Sequence, residues 1–398
     1  MATAILTIKA QQMTLVEELR NLVNLSHQEA WSLFDSVRMN PTLFGLSSRK
    51  TNKWKTPGEP AFVSALLDYT FTSALATLIE SHLGPTGLSA GSPIASGVFI
   101  HQKPKVKFHK AYIELGDLLI VRQHFSPSYT NPEGRAVLLQ AKASNTPTTG
   151  VLSGKELEQF DLYTNWNTPF IFPHGELGLP PNGADKWNFS RGGMPLVAQS
   201  GCYGIVSNLR HQTRAAPFPS NCAWAASQPV SVPGVTASVD GSSSSLAEGL
   251  HGMLLGTWGR PWSSSPTFDD HWSIFVHRAL DAALGWTYPV QRLGATAARP
   301  LPRRRDVLTF ANAFLARQVY DSLSATVPFG LRRAEEGTLS RLVRDRGRRL
   351  INGHWAVSID GGPPVYSARQ TGSDVPDGGP SVLYIATVGS EKLRVTGD

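Results

Sequence analysis

The chain has 398 residues, 41% of them hydrophobic, which suits one large domain or two to three smaller ones. Its two cysteines, Cys202 and Cys222, exclude a disulfide framework and a four-cysteine zinc site. The net charge of +7 suits a polyanionic partner without requiring one. No apolar run approaches the about 18 residues of a membrane span. No basic segment precedes the short N-terminal apolar run, so we expect a cytoplasmic protein without a cleaved signal peptide.

The first part of the chain is predicted to be helical. Apolar residues recur at helical spacing between residues 14 and 39. A connector rich in Pro, Ser and Lys follows over 40–58, and a single long helix is then predicted from Glu59 to Leu83, where Gly84 and Pro85 end it. We therefore expect residues 1–55 to form an N-terminal helical segment.

The periodicity then changes from helical to alternating. Residues 105–108, 111–121 and 136–143 predict three strands, the last two separated by a turn-rich segment. A capping-box pattern at Ser153 and Glu156 predicts a helix that runs to about Trp166. A short buried strand is predicted over 168–173. Together these elements predict a domain over 56–235.

The rest of the chain is predicted to be less regular. Short strands are expected at 203–206 and 222–224, within a loop-rich stretch that ends in a serine run at 242–245. We expect residues 236–398 to be a mainly helical, basic region for recognition, regulation or oligomerisation. Seven arginines between 332 and 349 fit either phosphate tracking or a solvated helix face. The helices of this region are predicted at 246–256, 270–284, 306–324 and 338–350, and its strands near 354–359 and 381–388.

The residues that point to chemistry lie on two of the predicted strands. Alternation places Gln140 and Lys142 on one face, while Val137, Leu139 and Ala141 point to the other. Asp117 follows a glycine, which allows the chain to bend so that its carboxylate reaches the same pair. A carboxylate is the minimal anchor for a hard divalent cation beside a phosphate. A lysine can orient the attacking water, help to deprotonate it, or stabilise the developing negative charge.

The stretch from Glu114 to Val121 (ELGDLLIV), followed by Ala136 to Lys142 (AVLLQAK), resembles the signature of the PD-(D/E)XK nuclease superfamily. It is most similar to the variant with glutamine at the second acidic position, as in Mrr-type restriction enzymes and antiphage effector nucleases. The resemblance covers roughly residues 59 to 173. It implies an α/β fold of the restriction-endonuclease-like type, with a central mixed sheet flanked by helices and further helical and small β elements towards the C-terminus.

The same resemblance implies a Mg²⁺-dependent endonuclease, with Mn²⁺ as a substitute metal. Asp117 would be the metal-binding acid, Gln140 the replaced second acid and Lys142 the catalytic lysine, and the carbonyl of Ala141 lies within reach of the same ion. Families of this type often add a glutamate from the preceding helix, and Glu80 is the first choice here, with Glu59 as the second. The resemblance implies nucleic-acid hydrolysis in a prokaryotic restriction or antiphage setting; DNA is the first choice of substrate and RNA the second, and the preference between them is left open. A partner protein or activating ligand and an oligomeric state are left open.

Two other functions are carried as alternatives. Gln140 removes one negative charge from the metal site, so the chain could instead be an inactive nuclease-like module that binds nucleic acid or a partner protein. A cysteine hydrolase that uses Cys202 with His211 or His251 is a weaker alternative, because no spacing fixes the base. Four tryptophans (Trp258, Trp262, Trp272, Trp286) fit the core better than base-stacking platforms.

Overall fold

The structure is a computed structural model. Several features of the sequence lie outside the described residues. They are the arginines between 332 and 349, the helices predicted at 306–324 and 338–350, the strand predicted near 354–359, and Trp286. The residues that it describes are 2–39, 55–85, 93–98, 104–125, 133–145, 155–173, 177, 180, 184–193, 195–210, 218–232, 235–239, 244–285 and 380–389.

A mixed sheet of eight strands forms the centre of the described structure. Its strands are β1 (Ile94–Val98), β4 (Leu118–Phe125), β5 (Glu133–Ser144), β6 (Gly201–Ser207), β7 (Trp224–Ser227), β10 (Ser244–Ser245), β11 (Arg260–Ser263) and β12 (Ser381–Val388). They are ordered β1-β12-β4-β5-β6-β7-β10, and β11 pairs with β5. The pairs β12–β4 and β5–β6 are parallel, and the other described pairs of this sheet are antiparallel. Two separate hairpins are β2 (Lys105–Phe108) with β3 (Ala111–Glu114), and β8 (Pro229–Val232) with β9 (Val235–Val239).

Helices cover both faces of this sheet, because alternation along the central strands sends apolar side chains to both sides. Leu118 and Ile120 join one core, and Leu119 and Val121 join the other. The first core is completed by α1 (Ala2–Met39), α2 (Glu59–Ala65), α3 (Tyr69–Leu83) and α5 (Leu246–Leu254), the second by α4 (Lys155–Thr164) and α6 (His271–Gly285). The predicted fold class is confirmed at this level: a mixed α/β structure with a large mixed sheet flanked by helices.

The prediction of a single helix from Glu59 to Leu83 is wrong, because the chain forms two helices there. The first ends at Ala65 and the second begins at Tyr69. Asp68 is the N-cap of the second helix, and its carboxylate accepts a hydrogen bond from the Phe71 amide at 2.9 Å. Such a cap satisfies a backbone donor that would otherwise lack a partner at the start of a helix. The apolar pattern continues across this break, which explains why it suggested one helix.

Asp68 gives the first testable prediction, because burial raises its pKa to about 7. Its pKa is about 3.9 in an unfolded chain, so stability should fall as the pH rises from about 4 to about 7. Asparagine is an equally good N-cap without a charge, so Asp68→Asn should remove this dependence. Between pH 5 and pH 8 the free energy of unfolding, measured with urea, should fall by about 2 kcal/mol more in the wild type than in the variant. Equal losses for the two proteins would show that Asp68 is not the group that titrates.

The prediction of a single strand over 111–121 is also wrong. Strand β3 ends at Glu114 and β4 begins at Leu118, so Asp117 stands immediately before β4. Gly116 passes close to helix α4, where an added Cβ would lie 3.0 Å from the Tyr163 hydroxyl oxygen. Because glycine lacks that atom, the chain can bend here and bring the next residue to the end of the sheet.

Some of the other predicted strands are confirmed and one is not. The strands at 105–108 and 381–388 are confirmed, and those at 136–143 and 203–206 are confirmed within slightly longer strands. Residues 168–173 do not form a strand, since only isolated bridges at Phe170 and Ile171 are present. The domain boundaries stay predictions, although β12 pairs with β4 inside the sheet that holds the predicted 56–235 domain.

Within the described residues, no single helix is long and apolar enough to cross a membrane. The pair Glu59–Ala65 and Thr70–Leu83, which is bent by 45°, meets the criterion of length and composition only when its two parts are taken together.

Candidate active site

The three residues predicted to carry the chemistry meet at one end of the pair β4–β5. These strands are antiparallel, with Leu118 opposite Leu139, and the Asp117 amide donates to the Leu139 carbonyl at 3.0 Å. This register brings Asp117 beside Gln140 and Ala141. The predicted juxtaposition follows from strand pairing, because the bend at Gly116 ends the preceding strand just before the aspartate.

The Asp117 carboxylate is held by two donors from β5. Its Oδ2 atom accepts a hydrogen bond from the Ala141 amide at 2.8 Å and a second from the Gln140 side-chain nitrogen. The residue is partly buried, and burial raises the pKa of its carboxyl group well above the usual range. The neighbouring charges of Glu114 and Glu59 raise it further. Asp117 is therefore a partly buried carboxylate in a negatively charged surrounding.

Gln140 belongs to a chain of side-chain amides that was not predicted. Its Oε1 atom accepts a hydrogen bond from Nε2 of Gln159, which also donates to the Glu114 carbonyl at 2.8 Å. Both glutamines are buried. The amide oxygen of Gln140, predicted as a metal ligand, thus faces Gln159, while its nitrogen faces Asp117. The sequence offered only its place beside Phe160 in the helix that follows the QxK stretch as a signal for Gln159.

Lys142 lies two residues further along β5 and is held by helix α4. Its Nζ atom is 3.1 Å from Oε1 of Glu156, near the start of that helix. Burial by itself lowers the pKa of Lys142, but the charges of Glu59, Glu156 and Asp117 outweigh it and raise the pKa above its usual value. The ammonium group therefore remains charged throughout the physiological pH range.

Glu59, the second choice from the sequence, is the helix carboxylate that the structure brings to this site. Its Oε1 atom accepts a hydrogen bond from the Ala143 amide on β5 at 3.0 Å. Burial raises the pKa of Glu59, Lys142 lowers it, and Glu114 and Glu156 raise it. Glu80, the first choice, is exposed near the C-terminal end of α3 and is not among the charges that act on Asp117. The structure thus groups Glu59, and not Glu80, with the predicted residues.

The donor set fits a hard divalent cation that keeps part of its hydration shell. Asp117 and Glu59 supply carboxylate oxygens, and the negative charge that raises the Asp117 pKa is the kind that such a cation neutralises. Among the described residues, no three His, Cys, Asp or Glu side chains are grouped closely enough to hold a metal alone. Mg²⁺ commonly binds through one or two carboxylates, with water and phosphate oxygens as further ligands. We name this group (Glu59, Asp117, Gln140, Lys142) the carboxylate–lysine site.

The alternative nucleophile does not have the environment that thiol chemistry needs. Cys202 lies on β6 opposite Leu139, and its side chain is fully buried in the first core. Burial raises the pKa of its thiol to about 12, whereas a catalytic cysteine needs a lowered pKa and access to substrate. Trp262 and Trp272 are buried, as the core interpretation expects.

Comparison with protein-family models, with curated proteins and with solved structures finds no match for this chain. The geometry of the carboxylate–lysine site and the sequence pattern that predicted it are therefore the features that point to a function.

Proposed function

We propose that the chain is a divalent-cation-dependent nuclease of the restriction-endonuclease-like type that hydrolyses phosphodiester bonds, with DNA as the substrate. One observation carries the proposal. A bend and a strand register bring a partly buried aspartate against the QxK segment of the neighbouring strand, with a lysine and a helix glutamate beside it. The resemblance to PD-(D/E)XK nucleases supports the same assignment, and it alone suggests a restriction or antiphage setting.

Asp117 and Glu59 are the residues that would hold the cation, which would be Mg²⁺ or Mn²⁺. A cation held there would lower the pKa of bound water and neutralise charge on the phosphate oxygens. The Ala141 amide fixes the orientation of the Asp117 carboxylate, and the Ala143 amide does the same for Glu59. Because the pKa of each carboxyl group is raised, protons compete with the cation, and cation binding should strengthen as the pH rises.

Lys142 acts as a fixed positive charge in this proposal. Since its pKa is raised, it does not lose its proton readily and is poorly suited to be a general base. Its contact with Glu156 holds the ammonium at the end of the sheet, where it stabilises the negative charge that develops on the scissile phosphate. Of the roles that the sequence left open for this lysine, the electrostatic one therefore agrees best with its surroundings.

The β2–β3 hairpin offers a surface on which the substrate can approach this site. Lys107 and Tyr112 lie opposite each other in its register, and both are exposed, as is Lys110 at the turn. The hairpin leads through residues 115 and 116 directly into Asp117. Lysines bind the phosphate backbone, and an exposed tyrosine can stack on an unpaired base.

Removing the two hairpin lysines is expected to weaken nucleic-acid binding without affecting the fold. The plot of log K against log salt has a negative slope. In a double variant, Lys107→Ala with Lys110→Ala, the magnitude of that slope should fall by roughly 2, one for each lost phosphate contact. Fluorescence anisotropy of a labelled oligonucleotide over a salt series measures this slope. Arg38→Ala is the matched control, because α1 packs on the opposite face of the sheet. An unchanged slope in the double variant would remove the hairpin from the binding surface.

Cleavage assays test the proposed function itself. The purified chain should cut plasmid DNA, or a linear DNA or RNA, in Mg²⁺ or Mn²⁺ and should stop when EDTA is added. Faster cutting of DNA than of RNA is the expected preference, and the reverse would change the substrate while keeping the reaction. Cleavage that persists in EDTA would contradict the cation dependence.

One observation favours the second candidate, a nuclease-like module that binds nucleic acid without cutting it. The Gln140 nitrogen faces Asp117 and its oxygen is engaged by Gln159, so the second ligand position presents a donor where a cation needs an acceptor. Oligonucleotide binding without cleavage in any of these cations would support this module. Cleavage that depends on Asp117 would exclude it.

A further inference from the structure

At the opposite end of the same two strands, two arginines face each other inside the protein. Arg122 on β4 is directly opposite Arg135 on β5. Ile120 and Val137, each two residues away on the same strand, belong to the first core, so alternation places both arginines on that face of the sheet. Arg122 lies five residues along the chain from Asp117, which puts this pair about 16 Å from the carboxylate–lysine site. The two guanidinium groups therefore form a separate feature.

The charge of this pair is balanced only in part by the described residues. Arg122 is 5% exposed, and neither its Nε nor its Nη1 atom has a hydrogen-bond partner. The Nε atom of Arg135 also has none. The nearest described carboxylate is that of Glu133, which lies 4.0 Å from Arg122 Nη1 and is 67% exposed. Like charges directly opposite each other on neighbouring strands are destabilising, and a buried unpaired charge is more so.

The loop after helix α5 leaves room beside these groups. Gly256 and Gly259 both have positive φ angles, and the Gly259 carbonyl accepts a hydrogen bond from Arg135 Nη1 at 3.1 Å. A Cβ added to Gly256 would meet one described atom within 4 Å, namely Arg122 Nη1 at 3.5 Å. Gly256 is itself partly exposed. Arg122 Nη1 therefore lies beside a partly exposed glycine of this loop.

We propose that Arg122 and Arg135 form a binding site for a phosphate group, distinct from the carboxylate–lysine site. Two planar guanidinium groups on adjacent strands can present parallel N–H donors to phosphate oxygens. The free donors at Arg122 Nε and Nη1 and at Arg135 Nε are of the type that such an anion satisfies. His124 lies on the same face and is hydrogen-bonded to Thr387 at 2.8 Å, so its Nδ1 atom is already engaged.

Thermal unfolding of the full chain with inorganic phosphate tests this site. Phosphate at ten times its dissociation constant should stabilise the wild type by about 1.4 kcal/mol, which corresponds to a Tm rise of roughly 2 °C for a chain of 398 residues. Potassium chloride at equal ionic strength is the reference. Arg135→Gln should lose most of this rise, and Arg191→Gln, which alters an exposed arginine elsewhere, should keep it. Phosphate also stabilises proteins in general, but that effect should be equal in all variants.

Arg122→Met provides a second readout, because it removes the buried charge and keeps an unbranched apolar side chain. In chloride it should be at least as stable as the wild type, since replacing a poorly balanced buried charge by a well-packed apolar group is commonly neutral or stabilising. It should show none of the specific response to phosphate. A 5′-phosphorylated dinucleotide, compared with inorganic phosphate, separates a phosphoester ligand from free phosphate. Equal Tm rises in the wild type, Arg135→Gln and Arg122→Met, or none in any of them, would overturn the proposal.

Discussion

Replacing Asp117 with asparagine is expected to lower the rate of nucleic-acid cleavage by about 10³-fold, in the range found when a key charge-stabilising group is lost. Asparagine keeps the shape of the side chain and can still accept the hydrogen bond from the Ala141 amide, so the fold should survive. It removes the negative charge that anchors the cation. Single-turnover cleavage of a labelled substrate measures the effect.

A matched control for this variant is available on helix α4. Asp161 has a half-exposed carboxylate that contacts His109, outside the carboxylate–lysine site. Asp161→Asn should therefore keep the rate of the wild type. If Asp117→Asn cuts as fast as Asp161→Asn, the catalytic assignment of Asp117 is wrong.

The second large effect is a contrast between two glutamates. Glu59→Gln is expected to reduce cleavage by about 10²-fold or more, since it removes a carboxylate beside Asp117 and Lys142. Glu80→Gln is expected to leave the rate unchanged, because this side chain is exposed on helix α3. The two substitutions are chemically identical, so the comparison isolates position.

The metal dependence of the rate gives a further check on this contrast. Loss of Glu59 should raise the Mg²⁺ concentration needed for half-maximal cleavage, whereas Glu80→Gln should not. A rate that falls for Glu80→Gln and stays high for Glu59→Gln would favour Glu80, the first choice from the sequence, and would exclude a role for Glu59 in cleavage.

The sequence predicted the centre of the candidate site because its information is local. Alternation along 136–143 fixes which side chains share a face with Gln140, and a glycine before Asp117 predicts the bend. Pairing of two neighbouring strands then brings the three residues together. Glu80 lies apart from the other predicted residues because the chain breaks at Asp68, so the helix of Glu59 and that of Glu80 are separate elements.

Longer-range features could not be predicted from the pattern. Strand β12 was predicted near residues 381–388, but its place between β1 and β4 depends on pairing across more than 250 residues of chain. Gln159 was missed because a glutamine in a helix is ordinarily exposed, and only the packing of α4 on the sheet buries it. The opposed arginines became visible only through the register of β4 with β5.

The central claim is that Asp117 and its neighbours form a divalent-cation site, and Mn²⁺ titration followed by electron paramagnetic resonance tests it most directly. This measurement does not require the enzyme to be in an activated state. We predict one Mn²⁺ site per chain that Mg²⁺ displaces, that strengthens as the pH rises, and that is lost in Asp117→Asn but kept in Asp161→Asn. Equal Mn²⁺ binding by the wild type and Asp117→Asn would contradict the account.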